Sequence, residues 1–398
     1  MIDKIQFFIF IILLFHLVLL TENFEDVYSK RFENRKQRIH QKPTYYDKLE
    51  IPDVEKEKAA AIKYIRECHE GIIFPKVEKP MFTVIIPYRN IGSKIRPALI
   101  SLERQDLRDF EIILVDDGSI KDPIEPEIND ILRRDKRIII IKNEHKIGFM
   151  RSRYLGLINA KGQYIIHMNQ LDMIVFDDSF DILYDTSEDN KIDILEFQFF
   201  FGNRNKLEEI SSVTFEENFP ENNILSMKEK DNLDDFNIFG TNGRNYNIFG
   251  KVYERKFHLE AFDSLLNKNP ELNMTIFDEI DDYLIHNYMT LKAKTYLIID
   301  TFCFYKHLDE DESGMSDEET VQHQREAFSL IKYLLDDNLL VPAMNTLNVL
   351  INSDNTLKSI KNEQTKKLAE KIINKLLNES NIDEQYKLTF TEYLKTLN

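Results

Sequence analysis

Five short stretches of this chain carry side chains suited to chemistry. Two apolar runs end in polar clusters: Pro87-Tyr88-Arg89-Asn90 after one, Asp116-Asp117-Gly118-Ser119 after the next. A third run, QYIIH, leads into Asn169-Gln170-Leu171-Asp172. Asp278, Glu279, Asp281 and Asp282 crowd into FDEIDDYL, and Lys306 and His307 close CFYKH. Carboxylates at a strand end can hold a hard cation, which prefers carboxylate and phosphate oxygens. In the third cluster Asp172 is the only carboxylate where such a cation would want two or three. A carboxylate at the start of a helix can serve as a general base, or simply as a stabilising charge at the helix N-terminus. An aspartate before glycine is also an ordinary turn residue. Taken alone, these types and spacings leave both readings of each cluster open.

The elements that would position these residues alternate. TVIIP (83–87) and EIILV (111–115) read as short buried strands. Between them SKIRPALISLERQ spaces Ile95, Leu99 and Leu102 for a helix, with Pro97 admissible only in its first turn. IEPEINDILRR reads as a helix, RIIIIK (137–142) as a third strand, GFMRSRYLGLINAKG as a helix closing on Gly162, and QYIIH as the fourth strand. This alternation predicts an α/β fold, a mostly parallel sheet with helices on both faces. Its ligands belong at the carboxyl ends of the strands, which is where PYRN, DDGS and MNQLD fall. DILEFQFFF is a further strand candidate, and the Asn- and Glu-rich residues 202–245 read as loop or insertion. NIFGKVYERKFHLEAF resumes order, and residues 317–398 read as a helical C-terminal extension, clearest in VQHQREAFSLIKYLL and KLAEKIINKLL. Neither GxGxxG nor GxxxxGK[ST] occurs, which argues against a dinucleotide or ATP fold.

TVIIPYRN, QDLRDFEIILVDDGS and IGFMRSRYLGLINAKGQYIIH together resemble the nucleotide-binding half of a family 2 glycosyltransferase of the GT-A fold. FGKVYER, IDDYL and CFYKHLDEDESGMS follow in the family's order. The resemblance covers about residues 82–316, within a transferase domain read as 81–316. It implies that Asp117 accepts from a uracil N–H, with Asp116 as its structural partner, and that Pro87, Tyr88 and Asn90 line the base pocket. It places Arg153 toward the nucleotide, although Tyr154 follows where the family has Asn. MNQLD occupies the family's metal motif, usually Asp-x-Asp followed by another Asp. Here Asp172 is the remaining ligand for Mn²⁺ or Mg²⁺, Asn169 is left to bind ribose or sugar, and Leu171 ligates nothing. Asp282 aligns with the general base and Asp281 with its support. Lys306 and His307 match a basic position near the diphosphate, and Lys251 one near the acceptor. Phe249 stands where the family often has Trp, a residue this chain lacks. The implied enzyme inverts the anomeric centre while moving a sugar from a nucleotide-sugar, a UDP-sugar by the Asp117 match, to a glycan, lipid or protein hydroxyl. The other reading is a non-catalytic GT-A scaffold that binds sugars or proteins.

The bulk numbers are compatible with this. The chain has 398 residues, 42% of them hydrophobic, and a formal charge of -17, which argues against nucleic acid as a partner. Cys68 and Cys303 form no disulfide framework. Residues 5–20 are almost wholly apolar, close to the roughly 20 residues of a membrane span. No small-x-small cleavage site follows, so residues 1–20 read as an uncleaved signal anchor and residues 21–80 as a stem. Glu22, Glu25 and Asp26 favour a lumenal C-terminal part, whereas Lys30, Arg31, Arg35, Lys36 and Arg38 oppose it. The resulting expectation is a single-pass membrane protein of the ER or Golgi, with Asn273 and Asn378 as glycosylation acceptors if lumenal.

Overall fold

The structure, a computed structural model, describes residues 73–174, 176–202, 211–212, 248–273, 281–307, 317–336, 338–353, 355–379, 382 and 384–397. Four parallel strands form one half of the sheet: β1 (Phe82–Tyr88), β2 (Phe110–Asp116), β3 (Ile138–Lys142) and β4 (Tyr164–His167). β1 and β2 are buried along their whole length, which is why they read as unbroken apolar runs rather than alternating ones. The helices between them are α1 (Arg96–Glu103), α2 (Ile124–Arg134) and α3 (Phe149–Asn159). Pro97 stands at the start of α1, as the sequence requires.

The second half mixes directions. β5 (Met173–Ile174), α4 (Ser179–Asn190), β6 (Ile194–Gly202), β7 (Ser211–Ser212), β8 (Lys251–Glu254), α5 (Arg255–Lys268), α6 (Asp281–Lys292) and β9 (Tyr296–His307) follow. The strand order is β3-β2-β1-β4-β8-β6-β9-β5, with β7 on β6. β8 runs antiparallel to β4 and β6, and β5 antiparallel to β9.

Strand parity sorts the core into two faces. Val84, Ile86, Ile112 and Leu114 pack with Leu99, Ile128 and Phe180, under α1, α2 and α4. Ile85, Ile113, Val115 and Ile165 pack with Met150, Phe262 and Ile285, under α3, α5 and α6. The second cluster runs on without a break into α7 (Asp317–Asp336), α8 (Leu340–Ser353), α9 (Glu363–Leu377) and α10 (Glu384–Leu397), through Phe328, Leu347, Ile373 and Phe390. The helical extension therefore shares a core with the sheet's second face.

Phe74 is buried and pairs with Asp135, and the Arg137 guanidinium lies 4.3 Å from the Phe74 ring and 4.1 Å from that of Phe110. The end of the stretch expected to be a stem is thus packed against the sheet. One expectation is overturned. Among the described residues no helix is long and apolar enough to cross a membrane, so the single-pass ER or Golgi placement is withdrawn. The anchor candidate, residues 1–20, lies outside the described residues, as does 21–72.

Candidate functional site

β1 lies between β2 and β4, so successive crossovers leave it in opposite directions and open a crevice beyond its carboxyl end. Pro87 and Tyr88 end β1 opposite Val115 and Asp116 of β2. Just beyond, Asn90 takes a left-handed backbone, φ 49°. Its Oδ1 accepts from the N–H groups of Ile120 and Lys121 at 3.0 and 3.1 Å, and its own N–H donates to Ser119 Oγ at 2.9 Å. Ser119 N–H in turn donates to Asp116 Oδ1 at 2.7 Å. The first two polar clusters are thus one hydrogen-bonded unit. Tyr88 is buried beside Asp116, and its hydroxyl is pushed well above its ordinary pKa by burial, then by the Asp116 and Glu125 carboxylates.

Parity separates the two aspartates. Asp116 falls on the face of Tyr88, toward α1 and α2. Asp117, one residue on, turns to the other face and braces α3. Its Oδ1 accepts from Ile147 N–H at 2.8 Å, Gly148 N–H at 3.2 Å and Ser152 Oγ–H at 3.1 Å; Oδ2 accepts from Gly148 N–H at 3.1 Å. A carboxylate there meets both the free N–H groups and the positive end of the helix dipole. Gly118 makes the approach feasible. Its φ is +68°, and a Cβ would stand 2.4 Å from the His145 carbonyl carbon. Asp117 is fully buried with protein donors on both oxygens, whereas Asp116 sits at the strand end itself.

The third cluster is a turn closed on itself and on its neighbours. Asn169 N–H donates to Asp172 Oδ2 at 3.0 Å, and Asp172 N–H to the Asn169 carbonyl at 3.1 Å. Arg153 Nη2 donates to Asn169 Oδ1 at 2.8 Å. Gln170 Oε1 accepts from Arg89 N–H at 3.0 Å, tying this turn to the end of β1. Tyr154, in place of the expected Asn, turns away to α5. Its hydroxyl donates to Asp263 at 2.7 Å, and burial and that carboxylate push its pKa up to about 12.

β5 leaves the turn with Met173 opposite Tyr305 of β9. Continuing that register by one residue brings Asp172 beside Lys306. On its other side β9 sets Lys306 opposite Phe201 and His307 opposite Gly202. The topology therefore assembles PYRN, DDGS, NQLD and the Lys306-His307 strand end at one rim. Asp281 and Asp282 open α6, which packs on α5 and α3; the rival carboxylates Asp278 and Glu279 lie outside the described residues.

Several participants carry no motif. His167 ends β4 and points under the rim, its Nε2 2.8 Å from Nε2 of His258 on α5. His258 Nδ1 lies 3.1 Å from Met289 Sδ on α6, and its ring stacks on Tyr253 at 4.5 Å. Sulfur accepts but does not donate, so His258 carries its proton on Nδ1 and accepts at Nε2 from His167 Nε2–H. That tautomer leaves His167 Nδ1 a bare acceptor, and the atom has no hydrogen-bond partner. Burial lowers both rings' pKa, that of His258 to about 3, and the Arg153 charge adds to the effect on His167. The chain β4–α5–α6 is thus linked by two neutral imidazoles. Isolated histidines in apolar runs gave no sign of the pairing, which depends on two elements 91 residues apart. Lys251, expected near the acceptor, is instead fully buried, with Nζ 3.6 Å from Glu196; Tyr296 also donates to that carboxylate.

The donor set does not fit the hard cation that the metal motif implies. Asn169 Oδ1 is taken by Arg153 and Gln170 Oε1 by Arg89, Leu171 offers no oxygen, and Asp172 is 1% exposed with Oδ2 turned to its own backbone. Among the described residues no group of three or more His, Cys, Asp or Glu is placed to hold a metal ion.

Comparison with known proteins agrees with this geometry. The profile of Glycosyl transferase family 2 matches residues 83–253. An uncharacterized glycosyltransferase of Haemophilus influenzae is 33% identical over 98 residues, 25% of this chain and 39% of that protein. Glycosyltransferase GlyG of Streptococcus pneumoniae is 29% identical over 116 residues, 29% of this chain and 38% of that protein. The cholesterol galactosyltransferase of Borreliella burgdorferi is 26% identical over 205 residues, covering 51% and 54% of the two chains. This chain thus spans well under half the length of the first two relatives. Among solved structures, S. aureus TarS 1–349 in complex with UDP-GlcNAc superposes with a TM-score of 0.55 at 16% identity, over 79% of this chain and 90% of that one. The fold is that of a GT-A transferase, a mixed sheet with its parallel half first, and residues 83–253 of the chain match the glycosyl transferase family 2 model.

Proposed function

We propose that the chain is an inverting glycosyltransferase moving a hexosyl or N-acetylhexosaminyl group from a nucleotide-sugar, of the UDP class, to a hydroxyl of a glycan, lipid or protein. The observation that carries the proposal is the stitched rim at the switch point, where Asn90, Ser119, Asp116, Gln170 and Asn169 fix three strand ends against one another. Such a rim holds its ligand-facing groups in place before the donor arrives, which limits the ordering cost of binding.

In this reading Pro87, Tyr88 and Asn90 line the base pocket. Asp116 accepts from the base N–H, and Asp117 acts on the nucleotide indirectly, by fixing α3 and Arg153. Asn169 meets ribose or sugar, and Arg153, Lys306 and His307 supply positive charge for the diphosphate leaving group. Asp282, supported by Asp281, takes the proton from the acceptor hydroxyl as its oxygen attacks the anomeric carbon. The new C–O bond forms as the bond to the diphosphate breaks, so a single displacement inverts the centre. Residues 81–316 form the transferase unit, and 317–398 an extension that completes its core. The committed oxygens of the NQLD turn favour one rival, a GT-A scaffold that binds a nucleotide-sugar without turning it over.

The test is a screen of nucleotide-sugars for transfer or hydrolysis, followed by Asp282→Asn on the best donor. We expect a loss of about 10²–10⁴-fold in kcat with an unchanged melting curve. Normal turnover by the variant would remove Asp282 from the role of base. Donor binding without turnover in the wild type would select the scaffold.

A further inference from the structure

We propose that Arg89 binds the diphosphate of the donor, its guanidinium standing at the end of β1 with a buried N–H that the chain itself leaves without an acceptor. The inference rests on the nucleotide-sugar reading above, to which it adds a residue.

The residues on either side of Arg89 are committed to the fold. Tyr88 is the last residue of β1 and is fully buried. Asn90 gives its N–H to Ser119 Oγ, and its Oδ1 accepts from the N–H groups of Ile120 and Lys121. Arg89 is engaged through its backbone, whose N–H donates to Gln170 Oε1 at 3.0 Å. That bond, with the left-handed backbone of Asn90 at φ 49°, fixes Arg89 between the PYRN strand end and the turn after β4. Gln170 is neutral, so it anchors the residue without pairing with its charge. The anchor is a backbone bond and does not depend on the side chain at 89.

The side chain is half-buried, and its Nε is closed off from solvent with no hydrogen-bond partner. Other arginines around the parallel half of the sheet are matched by carboxylates. Arg96 holds Asp130, Arg104 holds Asp177, Arg134 holds Glu103 and Arg137 holds Asp135, at 2.7–2.9 Å. Among the described residues none pairs with the Arg89 guanidinium in this way, in a chain with 69 Asp and Glu against 52 Lys and Arg. Arginine keeps its charge and offers donors only, so what it lacks here is an acceptor. A buried donor without one is costly, and the cost is removed by a ligand that brings it. The planar guanidinium matches two oxygens of a phosphate at once. The crevice beyond the carboxyl end of β1 is where the donor reading puts the nucleotide, and in a nucleotide-sugar of the proposed class the diphosphate carries the charge. A partly buried pair of this kind is screened less than one on an open surface.

The test is calorimetric titration of the full chain with UDP and with uridine, in one buffer containing Mn²⁺. Arg89→Met keeps an unbranched side chain and the backbone bond to Gln170. It is expected to weaken UDP binding about 10–100-fold and to leave uridine binding within about twofold of the wild type. Arg89→Lys is expected to fall between the two, because a point charge replaces the fork. Both variants are expected to melt as the wild type does, since neither loses a partner in the fold. Unchanged UDP affinity in Arg89→Met, where the wild type binds UDP, means that water satisfies the buried N–H; it overturns the inference and leaves the donor reading standing. An equal loss for uridine and UDP places Arg89 on the nucleoside and overturns the diphosphate role. A clearly lowered melting transition in both variants gives the side chain a structural role and overturns it too. No UDP binding by a wild-type chain with an intact melting transition overturns the donor reading and the inference with it.

Discussion

Acid should loosen this protein from the inside, beginning at the His167–His258 pair. Both rings are fully buried, and neutral imidazoles alone fit there. Protonating His167 sets a charge beside Arg153, and protonating His258 sets one against Met289 and the Tyr253 ring. His286 on α6, also buried, faces Lys251 and is depressed as well. Lys251 is paired with Glu196, which also accepts from Tyr296. A histidine whose folded pKa is depressed binds its proton more readily when unfolded. Stability is then full above the ordinary value of 6.5, falls as pH drops below it, and for His258 goes on falling to about 3. At pH 5 the unfolded ring is about 1.5 units below its ordinary pKa, and each unit is worth about 1.4 kcal/mol, so His258 alone removes about 2 kcal/mol. If all three rings stay neutral in the fold the loss is about 6 kcal/mol, comparable to the total stability of many domains.

Urea unfolding between pH 8 and pH 5 measures this directly. The slope of stability against pH should approach about 1.4 kcal/mol per pH unit for each buried histidine. Asp130, whose pKa of about 2 is set chiefly by the Arg96 hydrogen bonds, titrates below this window, whereas burial raises the Glu103 carboxyl toward it, and comparison with the histidine variants separates that contribution. His258→Leu strands the His167 Nε2–H without an acceptor and should cost about 1–3 kcal/mol at pH 8. The double variant His167→Leu, His258→Leu removes both polar partners and should be about as stable as the wild type at pH 8. It should also lose about 4 kcal/mol less than the wild type on going to pH 5. An acid slope identical in the wild type and the double variant would refute the buried neutral pair. So would a double variant much less stable at pH 8 than either single one.

Two further outcomes follow from the packing. Asp117→Ala strips the acceptor from three buried donors at the start of α3 and should cost about 2–4 kcal/mol in urea unfolding; unchanged stability would show that α3 needs no brace. Ending the chain at residue 316 removes α7, which packs on α6, and with it part of the core that holds Leu284, Ile285 and Met289. The shortened chain should bind a hydrophobic dye and lose its cooperative melt, and a sharp transition in it would show that the extension folds separately.

The parallel half of the sheet was legible because each element is specified locally. Ile124–Arg134 and the strands around Ile113 and Ile165 carry their own periodicity, and the polar clusters fall at strand ends that the alternation predicts. The second half was less so. β5 is two residues long, and β8 is identified by its pairing with β4 and β6 rather than by its composition. The different placements of Asp116 and Asp117 were not readable from adjacent identical residues. They follow from strand parity beyond the last paired residue, which one position of register decides. The stretch from Lys251 looked like an exposed motif because lysine is usually solvated. Glu196, 55 positions earlier in sequence but opposite it in register, is what permits its burial.

The two faces of the sheet divide the work at the rim. On the face of α1 and α2, Tyr88 and Asp116 sit above an apolar core. On the other face the strand ends rest on a polar layer: Asp117 under α3, His167 with His258 under α5, Lys251 with Glu196 toward α6. Each of these groups has a partner from a different element, His167 through Nε2 alone, and a buried network of this kind restricts how the elements can pack. α6, which carries Asp281 and Asp282 at its start, is seated on that layer through Met289. The histidine pair therefore ties the end of β4, beside the Asn169 turn, to α5 and to the helix that begins with Asp281 and Asp282.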